Sequence, residues 1–117
     1  MEIRGIVFVG THTGAHDAMT AFARDVLGLR PIAVPGVGAT LFAASGGDVL
    51  AVAPPYEEDG AAERTIGLLV DDLDQAIEEL HAAGVETDGV SENARWRYTH
   101  FRAPDGKLYE LVEERDG

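Results

Sequence analysis

The feature that most restricts this chain is a pattern of strands and helices written twice. Residues 3–9 (Ile-Arg-Gly-Ile-Val-Phe-Val) are rich in β-branched and apolar side chains and read as a strand. The loop Gly10-Thr11-His12-Thr13-Gly14 leads into residues 15–29. There Ala15, Ala18, Met19, Phe22 and Val26 recur at the three- and four-residue steps of an amphipathic helix, and Gly28 ends it. Three short apolar segments follow, 31–34, 39–44 and 49–53, broken by the turn signals Pro35-Gly36 and Gly46-Gly47.

The second half repeats the order. Residues 65–70 read as a strand and 72–83 as a helix with Leu73, Ala76, Ile77 and Leu80 on its buried face. Asp72 and Gln75 resemble a capping box, and Gly84 stops the helix. Segments 85–86, 96–101 and 108–112 supply the remaining strands, with Pro104-Asp105-Gly106 turning the last hairpin. Val9 and Val70 stand 61 residues apart, Gly47 and Gly106 59 apart. The rival plan β-α-β-β-α-β has only two strands between its helices, whereas segments 31–34, 39–44, 49–53 and 65–70 make four here. The expected fold is therefore α+β, two βαβββ modules in a single domain spanning 1–117. Module 1 covers about 1–56, a polar linker about 54–63, and module 2 about 64–117.

Composition narrows the partners. With 45% hydrophobic residues the chain can build a core unaided, and the absence of cysteine excludes thiolate catalysis, disulfides and thiolate zinc sites. No apolar run approaches the ~20 residues of a membrane span. Met1-Glu2-Ile3-Arg4 enters the first strand without the layout of a secretory signal, so the expected location is cytoplasmic. A net charge of −12 repels phosphates, which argues against nucleic acid and anionic membranes as partners.

Three phrases carry a family resemblance: Phe22-Ala23-Arg24-Asp25-Val26-Leu27-Gly28-Leu29; Leu69-Val70-Asp71-Asp72-Leu73-Asp74 followed by Ala82-Ala83-Gly84-Val85; and Phe101 through Leu111, with Pro104-Asp105-Gly106 inside it. In this order they resemble the vicinal-oxygen-chelate superfamily of glyoxalases, bleomycin-resistance proteins and ring-cleaving dioxygenases. The resemblance implies paired modules whose curved sheets enclose a cavity, and a homodimer. In metal-dependent members it implies two His and two Glu around a divalent ion that holds two neighbouring substrate oxygens.

Counted from Val9, Gly47, Val70 and Gly106, the implied ligand positions here read Arg4 (Gly5 if the register slips by one), Ala51, Thr65 and Glu110. Arginine does not ligate in the usual way, alanine has no donor and threonine is a poor ligand. A single carboxylate does not hold a catalytic divalent ion, so neither a metal nor another cofactor is expected. Two arrangements remain open for Glu110. It pairs with Arg4 where the metal would lie, or Arg4 turns to solvent and Glu110 bonds to Tyr98, His100 or water. His12 and His16 are expected as loop histidines, with an unrelated metal site the alternative, and His81 as a favourable charge at a helix C-terminus.

Strand alternation puts Trp96, Tyr98 and His100 on one face, and Arg97, Thr99 and Phe101 on the other. The resemblance implies that Phe101 packs on the helices, turning the first set and Glu110 toward the cavity. The candidate ligand-binding residues are thus Arg4, Phe8, Thr65, Trp96, Tyr98, His100 and Glu110, and the candidate catalytic residues are His100 and Glu110. Three functions compete. One is metal-free binding of a small aromatic or cationic molecule. Another is an enzyme of lyase, isomerase or dioxygenase type, metal-free through His100 and Glu110 or metal-dependent through Glu110. The third is an interaction module whose cavity has become core.

Overall fold

The computed structural model describes residues 1–55 and 63–115. Most of the expected linker lies outside these residues. The strands are β1 (Gly5–His12), β2 (Arg30–Ile32), β3 (Thr40–Ala43), β4 (Val49–Ala53), β5 (Glu63–Leu69), β6 (Ser91–Glu92), β7 (Trp96–Arg102) and β8 (Leu108–Glu114). The helices are α1 (His16–Ala21), which continues as a π-helical turn over Phe22–Val26, and α2 (Leu73–Ala82). No helix among the described residues is long and apolar enough to cross a membrane.

All eight strands form one sheet, ordered β2-β3-β4-β1-β5-β8-β7-β6. The doubling is visible in the pairing. β1 lies parallel to β4, β5 lies parallel to β8, and the antiparallel β1–β5 pair joins the two halves within one chain. Leu41 on β3 nevertheless packs in one buried cluster with Trp96 on β7, five places away in the sheet order. The sheet must therefore curl, and its concave face encloses a cavity. The convex face carries the helices. Val70, Leu73, Ala76 and Leu111 form one cluster there with Phe101 against it, and Ala23, Phe42 and Val52 form the other.

The second helix matches its sequence pattern closely. Asp72 accepts a hydrogen bond from the Gln75 N–H at 3.1 Å, satisfying one free donor of the first turn. Its end is a Schellman motif: Val85 N–H donates to the Leu80 carbonyl and Gly84 N–H to that of His81, with Gly84 at φ +82°.

The first helix departs from its pattern. Leu27 N–H donates to the Phe22 carbonyl, five residues back, and this wider turn shifts the phase of the side chains. Ala23 and Met19 face the sheet, whereas Phe22 and Val26, expected on the buried face, are 45% and 69% exposed. Segment 85–86 is likewise not a strand. The exit from α2 occupies that stretch, with Val85 N–H bonded to the Leu80 carbonyl, and the edge strand of this half is Ser91–Glu92, paired with Arg97 and Tyr98.

Candidate functional site

Two rows of residues cross the floor of the concave face. In one, Val49 pairs with Phe8, Phe8 with Gly67, Gly67 with Glu110, and Glu110 with His100. In the next, Ala51 pairs with Gly10 and Gly10 with Thr65. Gly67 leaves room for a neighbour: a β-carbon built there would collide with the Phe8 ring. Above this floor is a cavity of about 80 Å³. Module 1 supplies Phe8, Val37, Ala39, Leu41, Val49 and Ala51, and module 2 supplies Asn93, Trp96, Tyr98 and Glu110.

The 33–38 loop reaches across the opening. Its Pro35 carbonyl accepts from the Ala94 N–H at 2.9 Å, and Val34 and Val37 pack on the cavity cluster. Asn93 holds the far bank, its Oδ1 accepting the N–H groups of Arg95 and Trp96. Gly36, at φ +85°, lies so close to Asn93 that a β-carbon would approach its Cβ to 3.3 Å.

The wall carries a chain of charge. His100 Nε2 lies 2.7 Å from Glu110 Oε1, and His100 Nδ1 lies 3.1 Å from Asp88 Oδ2. Asp88 is itself fixed by the His100 backbone N–H at 2.7 Å and by the Thr99 hydroxyl, 2.8 Å from its Oδ1. An imidazole flanked by carboxylates at both nitrogens satisfies both only as the doubly protonated cation. Burial of the ring opposes that charge. The hydrogen bond and charge of Glu110, aided by Asp88, outweigh it and raise the His100 pKa above the ordinary histidine value. Burial and the nearby Glu110 charge likewise raise the Tyr98 phenol. Tyr98 and His100 meet edge to face at 5.8 Å.

Near the cavity, Thr65 Oγ1 and Trp96 Nε1 are buried polar atoms without a partner among the described residues. One face of Trp96 is held by the Arg95 guanidinium, 4.7 Å from the ring centroid.

Of the residues singled out from sequence, the structure brings Phe8, Trp96, Tyr98 and Glu110 to one cavity, with His100 bonded to Glu110 and Thr65 buried in the adjoining row. Arg4 does not join them, which corrects the Arg4–Glu110 ion pair. It lies outside, with Nη1 2.9 Å from Glu2 Oε1 and Nε 3.8 Å from Asp71 Oδ2. The cause is a β-bulge. Ile6 pairs with Leu68 and Phe8 with Gly67, so Val7 is an extra residue and the alternation of β1 inverts before it. His12 and His16 stay apart, one against the Pro54 carbonyl and the other against Thr40, and His81 meets Thr87. Among the described residues no three His, Cys, Asp or Glu side chains are grouped to hold a metal.

The residues do not fit the metal that the resemblance implies. Of the four ligand positions only Glu110 offers a strong donor, its charged partner at 2.7 Å is an imidazole, and the Phe8 ring lies over Gly67 in the same row. Asp88 and Asn93 are site residues that sequence reading missed. The Asp88-Gly89 and Asn93-Ala94 pairs carry turn chemistry, and Asx side chains commonly bond backbone a few residues on. That was the available signal.

The chain belongs to the Glyoxalase/Bleomycin resistance protein/Dioxygenase superfamily, whose pattern it matches over residues 5–111. Among solved structures, methylmalonyl-CoA epimerase from Mycobacterium tuberculosis superposes with a TM-score of 0.78 at 20% identity, over 97% of this chain and 90% of the epimerase. A single-residue variant of Streptomyces coelicolor methylmalonyl-CoA epimerase, in complex with 2-nitronate-propionyl-CoA, gives 0.73 at 20% identity over 98% of this chain and 100% of that one. BphC, a halotolerant catechol dioxygenase, gives 0.67 at 22% identity, over 97% of this chain and 40% of the dioxygenase. Comparison with curated proteins finds no match. At such identities the likeness is of fold, and function has to be argued from the site.

Proposed function

We propose that this chain binds a small molecule in the cavity between its modules, without a metal or other cofactor. The observation that carries the reading is the placement of Glu110. It is a carboxylate 7% exposed, on the wall of a cavity otherwise lined by apolar and aromatic side chains and Asn93. Burying a carboxylate is costly, and the Asp88–His100 support holds it there rather than letting it turn to solvent. A few fixed polar groups in an apolar cavity are the usual make-up of a ligand site. The reading includes a homodimer, which sedimentation tests, and a cytoplasmic location, which fractionation of the producing cell tests.

The experiment is a titration of tag-free protein with small aromatic and cationic compounds, followed by the fluorescence of Trp96, the only tryptophan, and by melting temperature. Elemental analysis of the same preparation measures bound metal. Saturable quenching with a raised melting point and no stoichiometric metal is the expected result. A stoichiometric divalent ion, released by chelator with a lower melting point, would sink the metal-free part. No quenching or shift with any compound would leave the cavity as core, a result its volume of about 80 Å³ would suit.

A second reading is favoured by the Asp88–His100–Glu110 chain itself. A carboxylate backed by an oriented imidazole is a proton-transfer arrangement, with Glu110 facing the cavity and His100 behind it. In this reading the chain is a metal-free enzyme acting by acid–base chemistry. Loss of turnover in Glu110→Gln with binding retained would distinguish it from a binding protein.

A further inference from the structure

We infer that the cavity is a cage for an alkylated ammonium group. The inference rests on the small-molecule reading above and names its ligand class. Three aromatic side chains, Phe8 from module 1 and Trp96 and Tyr98 from module 2, line the same small space with Glu110, and no basic side chain lines it among the described residues. Aromatic faces carry negative charge density and attract cations, most strongly where water is excluded. Beside them stands one buried carboxylate, Glu110, whose charge is shared with His100 at 2.7 Å and backed by Asp88. The remaining wall, Val37, Ala39, Leu41, Val49 and Ala51, offers surface for methyl groups and no hydrogen bonds.

Other ligand classes are less well served. A bare metal ion gives up strongly held water and needs several donors, where this wall has one carboxylate. An anion would meet Glu110 without a basic partner on the cavity lining. A purely apolar molecule gains nothing from the net negative charge of the Asp88–His100–Glu110 chain behind the wall. Size points the same way: about 80 Å³ is well below the ~300–1,000 Å³ of common ligand cavities, so it takes a head group rather than a substituted ring system. The charge behind the wall is consistent with this. With His100 protonated, Asp88, His100 and Glu110 together still carry one negative charge.

The test uses the intact chain at constant ionic strength. Choline and tetramethylammonium are titrated against dimethylbutanol, the neutral carbon isostere of choline, with calorimetry and Trp96 fluorescence as readouts. Binding of the cations about tenfold or more tighter than the isostere is expected, with the preference lost in Glu110→Gln. Should that variant fail to fold, Phe8→Leu removes one aromatic face while keeping an apolar wall, and is expected to narrow the preference. Equal binding of choline and its isostere would overturn the cage but leave a small-molecule cavity. No binding of either would also overturn it, and the small-molecule reading would then stand or fall on the separate titrations with aromatic compounds.

Discussion

The two modules share one plan and differ in how each is finished. Helix α2 has ten residues, a side-chain cap at Asp72, a Schellman end, and Leu73 and Ala76 wholly buried. Helix α1 has six residues, no side-chain cap at Ala15, a π-helical continuation, and apolar side chains in solvent. The cavity is divided as unevenly. Module 1 contributes only apolar and aromatic wall, and module 2 contributes Asn93, Tyr98, Glu110 and the Asp88–His100 support. Duplication thus fixes where strands lie and leaves each copy free in its chemistry. Counting ligand positions symmetrically across the repeat recovers neither the bulge of β1 nor the polar chain of module 2.

The helices differ most in how firmly each is anchored. Leu73→Ala removes a side chain with no exposure from the α2 cluster and is expected to cost about 2–5 kcal/mol. Chemical denaturation of variant and parent measures it. A loss under about 1 kcal/mol would mean that α2 is no better anchored than α1.

Next in size is the seam between modules. Gly67→Ala drives a methyl into the Phe8 ring and is expected to cost about 1–3 kcal/mol by overpacking. Adding Phe8→Leu should recover part of that loss, because the clash is with the ring and not with backbone. A double variant no better than the sum of its parts would show that Phe8 does not rest on Gly67.

The polar chain gives a prediction in pH. His100 is flanked by Asp88 and Glu110, with the Tyr98 ring edge-on, and its pKa lies above the ordinary value. The charged ring is therefore favoured in the folded state. Its contribution is complete below the unfolded histidine pKa of about 6.5 and fades as pH rises through the higher folded value. The stability lost in His100→Gln, at the lower end of the ~1.5–3 kcal/mol of hydrogen bonds to charged groups, should be greatest near pH 6 and should shrink toward alkaline pH. A difference that grows with pH would reverse the assigned charge. In module 1 the His16–Asp17 contact, 3.6 Å long with the carboxylate in solvent, is too exposed to give a comparable effect.

Much of the fold was legible because periodicity and turn chemistry are local. Residues 49–53 and the stripe of α2 fall where alternation and the three- and four-residue steps put them, and Gly28, Gly84 and Gly106 occupy the left-handed turns that their positions suggested. The face of β7 was legible for the same reason, since Phe101 joins the helix cluster and Trp96 and Tyr98 the cavity. What sequence did not disclose depends on a single inserted residue or on contacts between distant segments. The Val7 bulge turns Arg4 out of the site, yet nothing in Gly5-Ile6-Val7-Phe8 marks where the extra residue falls. The choice left open for Glu110 was decided by His100 across a strand pair, and Asp88 entered from the loop beyond segment 85–86, to which the local pattern assigned no role.

The exposed face of α1 should respond least to substitution. Val26 is 69% exposed, with Phe22 and Leu27 exposed nearby, so Val26→Ser removes little buried surface from the monomer. Its expected cost to monomer stability is within about 0.5 kcal/mol, the range of surface substitutions. If Val26 instead sat on the core side of α1, as regular helical periodicity would have it, deleting its methyl groups would cost about 1 kcal/mol or more. Denaturation at two protein concentrations separates a third case. A loss that appears only at the higher concentration would mean that a second copy covers Val26, because association stabilises the folded state by mass action. The exposed face of α1 would then be finished by association, as α2 is finished within the chain.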